Sequence, residues 1–191
     1  MNYTKSKIFI LCGPSGAGKG TLINKLVKNY PDIVIPPSYT TRPERPVEGA
    51  KKYHFITNKE FKHAIEEDKI LEYVKEHNYW YGTDKIAIEN ALNNDKTILM
   101  EIEPRGANYI KKQYPGCKII FVAPKSLDEL EKRIRDDSQR GKTISEEELQ
   151  LRLQEAKKEM EFKDKADYVV MNGDGEIENA LNELKNIFEN Y

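Results

Sequence analysis

The segment Gly13–Thr21 reads GPSGAGKGT and follows the apolar run Ile8–Cys12 directly. A glycine-rich turn with a lysine, set between a strand pattern and a helix pattern, is the arrangement of a phosphate-gripping loop. Its chemistry is electrostatic. Gly13, Gly16 and Gly18 let consecutive backbone N–H groups turn into one concavity, with Pro14, Ser15 and Ala17 completing the loop. The helix behind adds its positive end. Lys19 supplies a point charge to the β- and γ-phosphates of a nucleoside triphosphate. A glycine-rich turn without a ligand would not need a lysine so placed. Gly20 departs from the usual loop, in which a Ser or Thr hydroxyl at that place ligates Mg2+. Here the nearest hydroxyl is one residue later, at Thr21.

A second group of residues suits an acceptor. In SYTTRPERP, Arg42 and Arg45 lie three apart and are stiffened by Pro43 and Pro46. Guanidinium forks match phosphate bidentately. Further on, YHF, LEY and YWYGT bring Tyr53, Glu72, Tyr81 and Thr83. Tyrosine hydroxyls can hold phosphate. A buried carboxylate can accept from two N–H groups on one base edge, a pair that guanine offers and adenine does not. Each of these residues alone would read as packing or surface.

These side chains need a frame. Four short apolar runs, Ile8–Cys12, Thr97–Ile102, Lys118–Ala123 and Tyr168–Met171, read as strands buried on both faces of a parallel sheet. Helical stripes separate or follow them: Leu22, Ile23, Leu26, Val27 and Tyr30; then Leu127, Leu130 and Ile134; then Ile177, Leu181, Leu184 and Phe188. The alternation predicts an α/β fold with helices flanking the sheet. Ser145 opens a further helix with an acid three residues on, the pattern of a capping box, followed by the stripe Leu149, Leu153, Ala156 and Met160. Between Ile33 and Asn94 the pattern breaks into clustered prolines and short aromatic pieces, which reads as an inserted lobe with its own small sheet. RDDSQRGKT, between Ile134 and Ile144, has no core-forming pattern and reads as a mobile lid.

The chain has 191 residues, 33% of them charged, and a formal net charge of -1. That length suits one domain with attached lobes. The charge balance argues against a nucleic-acid scaffold. Cys12 and Cys117 are the two cysteines, each at an apolar run. They read as buried thiols in a reducing, cytoplasmic protein. MNYTKSK does not read as a signal peptide, and no apolar stretch is long enough to span a bilayer. His54, His63 and His77 form no metal pattern, and Trp80 is expected to pack inside the inserted lobe.

Taken together, GPSGAGKGT, SYTTRPERP, YHF, ILEYV, YWYGT, ILMEIEPRG, IIFVAPKSLDELEKRI, RLQEAKKEM and DYVVMNGD resemble, in order and spacing, the guanylate kinases over essentially the whole chain. The resemblance implies a P-loop NTPase fold with a core at 1–33, 95–134 and 151–191, a GMP-binding lobe at 34–94 and a lid at 135–150. It implies transfer of the γ-phosphoryl group of ATP to GMP, and to dGMP, giving ADP and GDP with Mg2+ as the companion of ATP. GKGT also occurs among nucleoside monophosphate kinases, where phosphates and water hold most of the metal, so no residue is expected as a dedicated metal ligand. By position, Arg42, Arg45, Tyr53 and Tyr81 match holders of the GMP phosphate. Ser38, Glu72 and Thr83 match readers of the guanine edge. Glu101 and Glu103 match an acidic pair that serves the metal waters, the loop lysine or the base. Arg133, Arg140 and Arg152 match lid-side arginines near ATP, and Asn172 matches an adenine-side asparagine. Lys19, Arg42, Arg133 and Arg152 are the expected catalytic clamp. The implied partners are ATP and GMP, with no nucleic acid or membrane, in a monomer or homodimer.

The chain departs from the family pattern in three places. RPVEGAKKYHF is one residue short, Glu103-Pro104-Arg105 replaces the common Asp, apolar residue and Gln, and the lid segment is long. Arg135 and Lys142 therefore stand beside Arg140 as alternatives for the lid contact. Two other readings are a kinase of the same fold with another phosphorylated acceptor, and a non-catalytic binding module of guanylate-kinase shape.

Overall fold

The structure, a computed structural model, describes residues 7–44, 53–76, 78–136 and 144–191. In chain order the elements are β1 (Ile8–Cys12), α1 (Lys19–Asn29), β2 (Ile33–Val34), β3 (Ser38–Thr40), β4 (Tyr53–Phe55), α2 (Asn58–Glu66), β5 (Ile70–Glu76) and β6 (Tyr79–Asp84). There follow α3 (Lys85–Asn93), β7 (Thr97–Glu101), α4 (Pro104–Gln113), β8 (Lys118–Ala123), α5 (Leu127–Arg135), α6 (Glu146–Met160), β9 (Tyr168–Met171) and α7 (Ile177–Glu189).

The larger sheet has the order β2-β7-β1-β8-β9, with β2 parallel to β7 and β8 parallel to β9. All of β1 is buried, as is β8 from Ile119 onward. Unbroken apolar runs of this kind form strands covered on both faces. The four expected strands are present, although the run at Thr97 ends at Glu101 rather than Ile102. The fifth strand, β2, is two residues long and carries no periodicity by which a sequence could reveal it.

The chain divides into two compact units. The first comprises Met1–Phe9, Asp32–Met100 and Arg105–Cys117. It holds a four-stranded sheet of order β4-β3-β6-β5, in which β3 is parallel to β4 and antiparallel to β6, and β5 is antiparallel to β6. Phe61 and Ala64 of α2 form a core with Ile70, and Tyr39 and Trp80 pack against it. Trp80 stacks on Phe61 with ring centroids 5.9 Å apart, inside the lobe as expected. A capping box starts α2: Thr57 Oγ1 accepts from the Glu60 N–H, and the Glu60 carboxylate accepts from the Thr57 N–H.

The second unit comprises Ile10–Pro31, Glu101–Pro104 and Lys118–Tyr191. Here α5 and α6 pack through Leu130, Ile134, Leu149, Leu153 and Ala156, the stripes read from the sequence. Ser145 caps α6 by accepting from the Glu148 N–H. Only this half of the expected capping box forms, because the Glu148 carboxylate accepts from Arg152 one turn on. Arg135, at the end of α5, donates to both Glu131 and Glu146 and so ties α5 to the start of α6. Cys12 and Cys117 are buried free thiols. Burial pushes the Cys12 thiol up to about 12, against the smaller pull of Lys19. Among the described residues no helix is long and apolar enough to cross a membrane.

Candidate active site

The glycine loop lies in the second unit. Gly13, Gly16 and Gly18 have φ of 133°, 86° and 88°, where side chains bearing a Cβ are strained. Space is as tight as the dihedrals. A Cβ on Gly13 would sit 2.3 Å from the Val122 carbonyl oxygen, and one on Gly18 would sit 2.4 Å from Asn172 Nδ2. The first bond of α1 runs from the Leu22 N–H to the Gly18 carbonyl at 3.0 Å. The N–H groups of Lys19, Gly20 and Thr21 therefore open the helix without intrahelical acceptors, the arrangement that receives an anion.

Lys19 folds back over this loop. Its Nζ donates to the Gly13 carbonyl at 2.6 Å and to the Pro14 carbonyl at 3.1 Å, and lies 4.0 Å from Glu101 Oε1. Gly20 stands beside the same acid, since a Cβ there would lie 3.8 Å from Glu101 Oε2. That is an ordinary contact, so sterics do not demand glycine at this position. Among the described residues no cluster of three or more His, Cys, Asp or Glu could hold a metal. Magnesium, however, binds through one carboxylate, substrate phosphates and water. Glu101, with its side chain 43% exposed beside the loop, is placed to meet the waters of such a metal. Of the alternatives open for Glu101, its observed contact is with Lys19. Glu103 is half-buried just ahead of α4, in this second unit.

Asn172 sits beneath the loop. It is 4% exposed, and its side-chain amide donates to the Ala17 carbonyl at 2.8 Å. In this position it braces the loop, a contact the sequence reading did not foresee. The Arg133 Nε donates to Asp174 Oδ1 at 2.8 Å, and its Nη2 lies 3.8 Å from Glu129. Arg152 donates to Glu148. Each of these two arginines is thus oriented by carboxylates from its own unit. Arg135 is committed to Glu131 and Glu146, which weighs against it as the lid contact. Arg45, Arg140 and Lys142 lie outside the described residues.

Of the residues expected to hold the acceptor, Ser38, Arg42, Tyr53, Glu72, Tyr81 and Thr83 lie in the first unit, and Glu101 and Glu103 in the second. In the sheet register Ser38 pairs with Tyr53 and Thr83, and Thr40 pairs with Phe55 and Tyr81. Because side chains alternate along a strand, these six share one face, while Tyr39, His54, Trp80 and Gly82 take the other, toward α2. Glu72 joins the first face by accepting from Thr83 Oγ1 at 2.6 Å. Burial raises its carboxyl above the ordinary value, and the Thr83 hydrogen bonds offset part of that. Arg42 is 6% exposed. Its guanidinium lies 5.2 Å from the Tyr53 ring centroid and 5.4 Å from that of Phe55, and Nη1 donates to the Pro43 carbonyl at 2.9 Å. The ring quadrupoles attract the guanidinium and hold it over this pair of aromatics. The face therefore carries a cation at one place and a carboxylate paired with a hydroxyl at another.

Sequence reading missed three contributors. Phe55 completes the platform under Arg42, and the alternation in YHF was its signal. Thr40 Oγ1 accepts from the Arg42 N–H at 3.2 Å. Asp174 holds Arg133 across 41 residues, a long-range contact with no local signal.

The family model for guanylate kinase matches residues 5–191. The guanylate kinase of Synechococcus sp. is 41% identical over 183 residues, covering 95% of this chain and 82% of its own length. That of Desulfitobacterium hafniense is 41% identical over 188 residues, covering 98% and 91%. In structure, the guanylate kinase from Anaplasma phagocytophilum matches with a TM-score of 0.76 at 26% identity, over 97% of this chain and 85% of that one. These matches take in both the phosphate loop and the acceptor sheet and leave almost no residue outside them: the chain belongs to the guanylate kinase family.

Proposed function

We propose that this chain transfers the γ-phosphoryl group of ATP to GMP, giving ADP and GDP. The observation that carries the reading is the acceptor face. Arg42 lies over Tyr53 and Phe55, and Thr83 donates to the half-buried Glu72 on the same face of one sheet. A monophosphate and a guanine edge are what such a face recognises. Arg42, Arg45, Tyr53 and Tyr81 take the GMP phosphate; Ser38, Glu72 and Thr83 take the base, and Glu103 serves the base side by its place in the family motif. No assigned residue reads the 2′-hydroxyl, so dGMP is a substrate as well.

Phosphoryl transfer asks little covalent chemistry of a protein and much positioning. The loop N–H groups from Gly16 to Thr21 cradle the ATP phosphates. Lys19 exchanges its two carbonyl partners for the β- and γ-phosphates, while Glu101 keeps the amine in place. Arg133, Arg152 and Arg140 neutralise charge that develops on the transferring group. Asn172 keeps the loop in shape. Mg2+, when bound, spreads the phosphate charge, and Glu101 is the acid placed to meet its water shell. In this reading residues 34–94 are the acceptor lobe, 135–150 the lid and the rest the donor core, in a monomer or a homodimer.

The test is product analysis. Incubation with Mg2+, ATP and GMP should yield GDP and ADP in equal amounts, with little ADP when GMP is omitted. ADP release that is the same with and without GMP would reduce the protein to an ATPase and defeat the reading.

A further inference from the structure

Asp84 is 7% exposed, and each of its carboxylate oxygens has its own partner. Oδ1 accepts from the Ala87 N–H at 2.9 Å and caps α3. Oδ2 lies 3.1 Å from Nε2 of His54. The Asp84 backbone N–H donates to the Pro37 carbonyl at 3.1 Å, ahead of β3. A carboxylate is kept out of water only where such partners offset its desolvation. Capping α3 explains one oxygen. It does not explain the other.

His54 is the middle residue of β4, a three-residue strand that stands at the edge of its sheet with β3 as its one neighbour among the described residues. The His54 ring lies 4.7 Å from Tyr39, the β3 residue that pairs with His54 on one side and Gly82 on the other. The contact to Asp84 therefore crosses the back of β3 and ties β4 to β6. Tyr53 and Phe55, the two neighbours of His54, point to the opposite face and carry the Arg42 guanidinium. Thr83, the residue before Asp84, points to that face too and donates to Glu72. A short edge strand is hydrogen-bonded along one side only, so its angle is weakly held. Without the brace, the phosphate end of the acceptor face can shift against the base end.

We propose that the His54–Asp84 pair is a positioning device: from the back of the sheet it holds the Tyr53–Phe55–Arg42 platform in register with Thr83 and Glu72, and so sets the affinity for GMP without touching either substrate. The inference rests on the acceptor reading given above.

Steady-state kinetics on three variants test it. His54 is 42% exposed in its side chain, so His54→Ala is tolerated by the fold, and His54→Phe keeps a ring on Tyr39 while removing the nitrogen. Both should raise KM for GMP about three- to tenfold, the effect of one lost hydrogen bond, and leave kcat and KM for ATP within about twofold. Asp84→Asn retains a capping oxygen, and adding it to His54→Ala should change KM for GMP by less than about twofold further, because the pair is already broken. An unchanged KM for GMP in His54→Ala would overturn the proposal. So would a wild-type KM in His54→Phe, or an equal rise in KM for GMP and ATP, which marks general loosening. A wild-type protein with no preference for GMP would instead defeat the acceptor reading itself.

Discussion

In the proposed reaction Lys19 serves the donor phosphates and Glu72 the acceptor base. Lys19 rests on the Gly13 and Pro14 carbonyls with Glu101 at 4.0 Å, so its charge is held at the loop before any phosphate arrives. Lys19→Met should lower kcat by about 100-fold or more, the scale of losing one preorganised donor to developing charge. GMP binding measured by calorimetry should stay unchanged, since the acceptor residues are other than Lys19. Glu72 stands in a trade between stability and recognition. Burial raises its folded carboxyl above the unfolded value. Below the unfolded value both states are protonated and the group costs nothing. As pH rises, the unfolded chain ionises first and is favoured, until pH passes the folded value and the loss is complete. Glu72→Gln should therefore melt higher than wild type at pH 7, with the gain shrinking as pH falls through the raised folded value and gone below the unfolded value of about 4.3. The same variant should raise KM for GMP about tenfold or more, because one amide oxygen replaces a carboxylate that accepts two base N–H groups.

The elements show why some of this was legible and some was not. The core strands were plain because each is an unbroken apolar run, and the phosphate loop was plain because its glycines and lysine have a fixed spacing. The acceptor residues were legible as types, but not their common face. That depends on β3 pairing with β4 and β6, partners brought from 15 and 45 residues away in the register Ser38↔Tyr53 and Ser38↔Thr83. Asn172 was ambiguous for a different reason: an asparagine under a loop and one facing a base look alike in sequence. The structure shows the loop contact, through the Ala17 carbonyl. Asn172→Ala would leave the Ala17 carbonyl without its buried donor, at about 1–3 kcal/mol. The melting temperature should fall, and KM should rise alike for ATP and for GTP as donor. A rise confined to ATP would return Asn172 to the adenine. Ser145 carried a sound capping signal, yet Glu148 was taken by Arg152, a competition between two local rules that sequence cannot rank.

At the scale of the molecule, the donor loop and the acceptor sheet belong to different compact units, each with its own core. Lys19, Glu101, Arg133 and Asn172 lie in one, and Ser38, Arg42, Tyr53, Glu72 and Thr83 in the other. A binding module would need only the acceptor unit. A kinase needs both, and the whole chain matches its family from residue 5 to residue 191. The central claim, that these residues select GMP as the acceptor for ATP, is tested most directly by initial rates of ADP release. The protein is given Mg2+ and ATP with GMP, dGMP, AMP, CMP or UMP in turn. The account predicts that GMP and dGMP support turnover at least about 100-fold faster than the other three, because a site built around buried hydrogen-bonding groups rejects bases that leave them unpaired. Rates with AMP, CMP or UMP equal to those with GMP would contradict it.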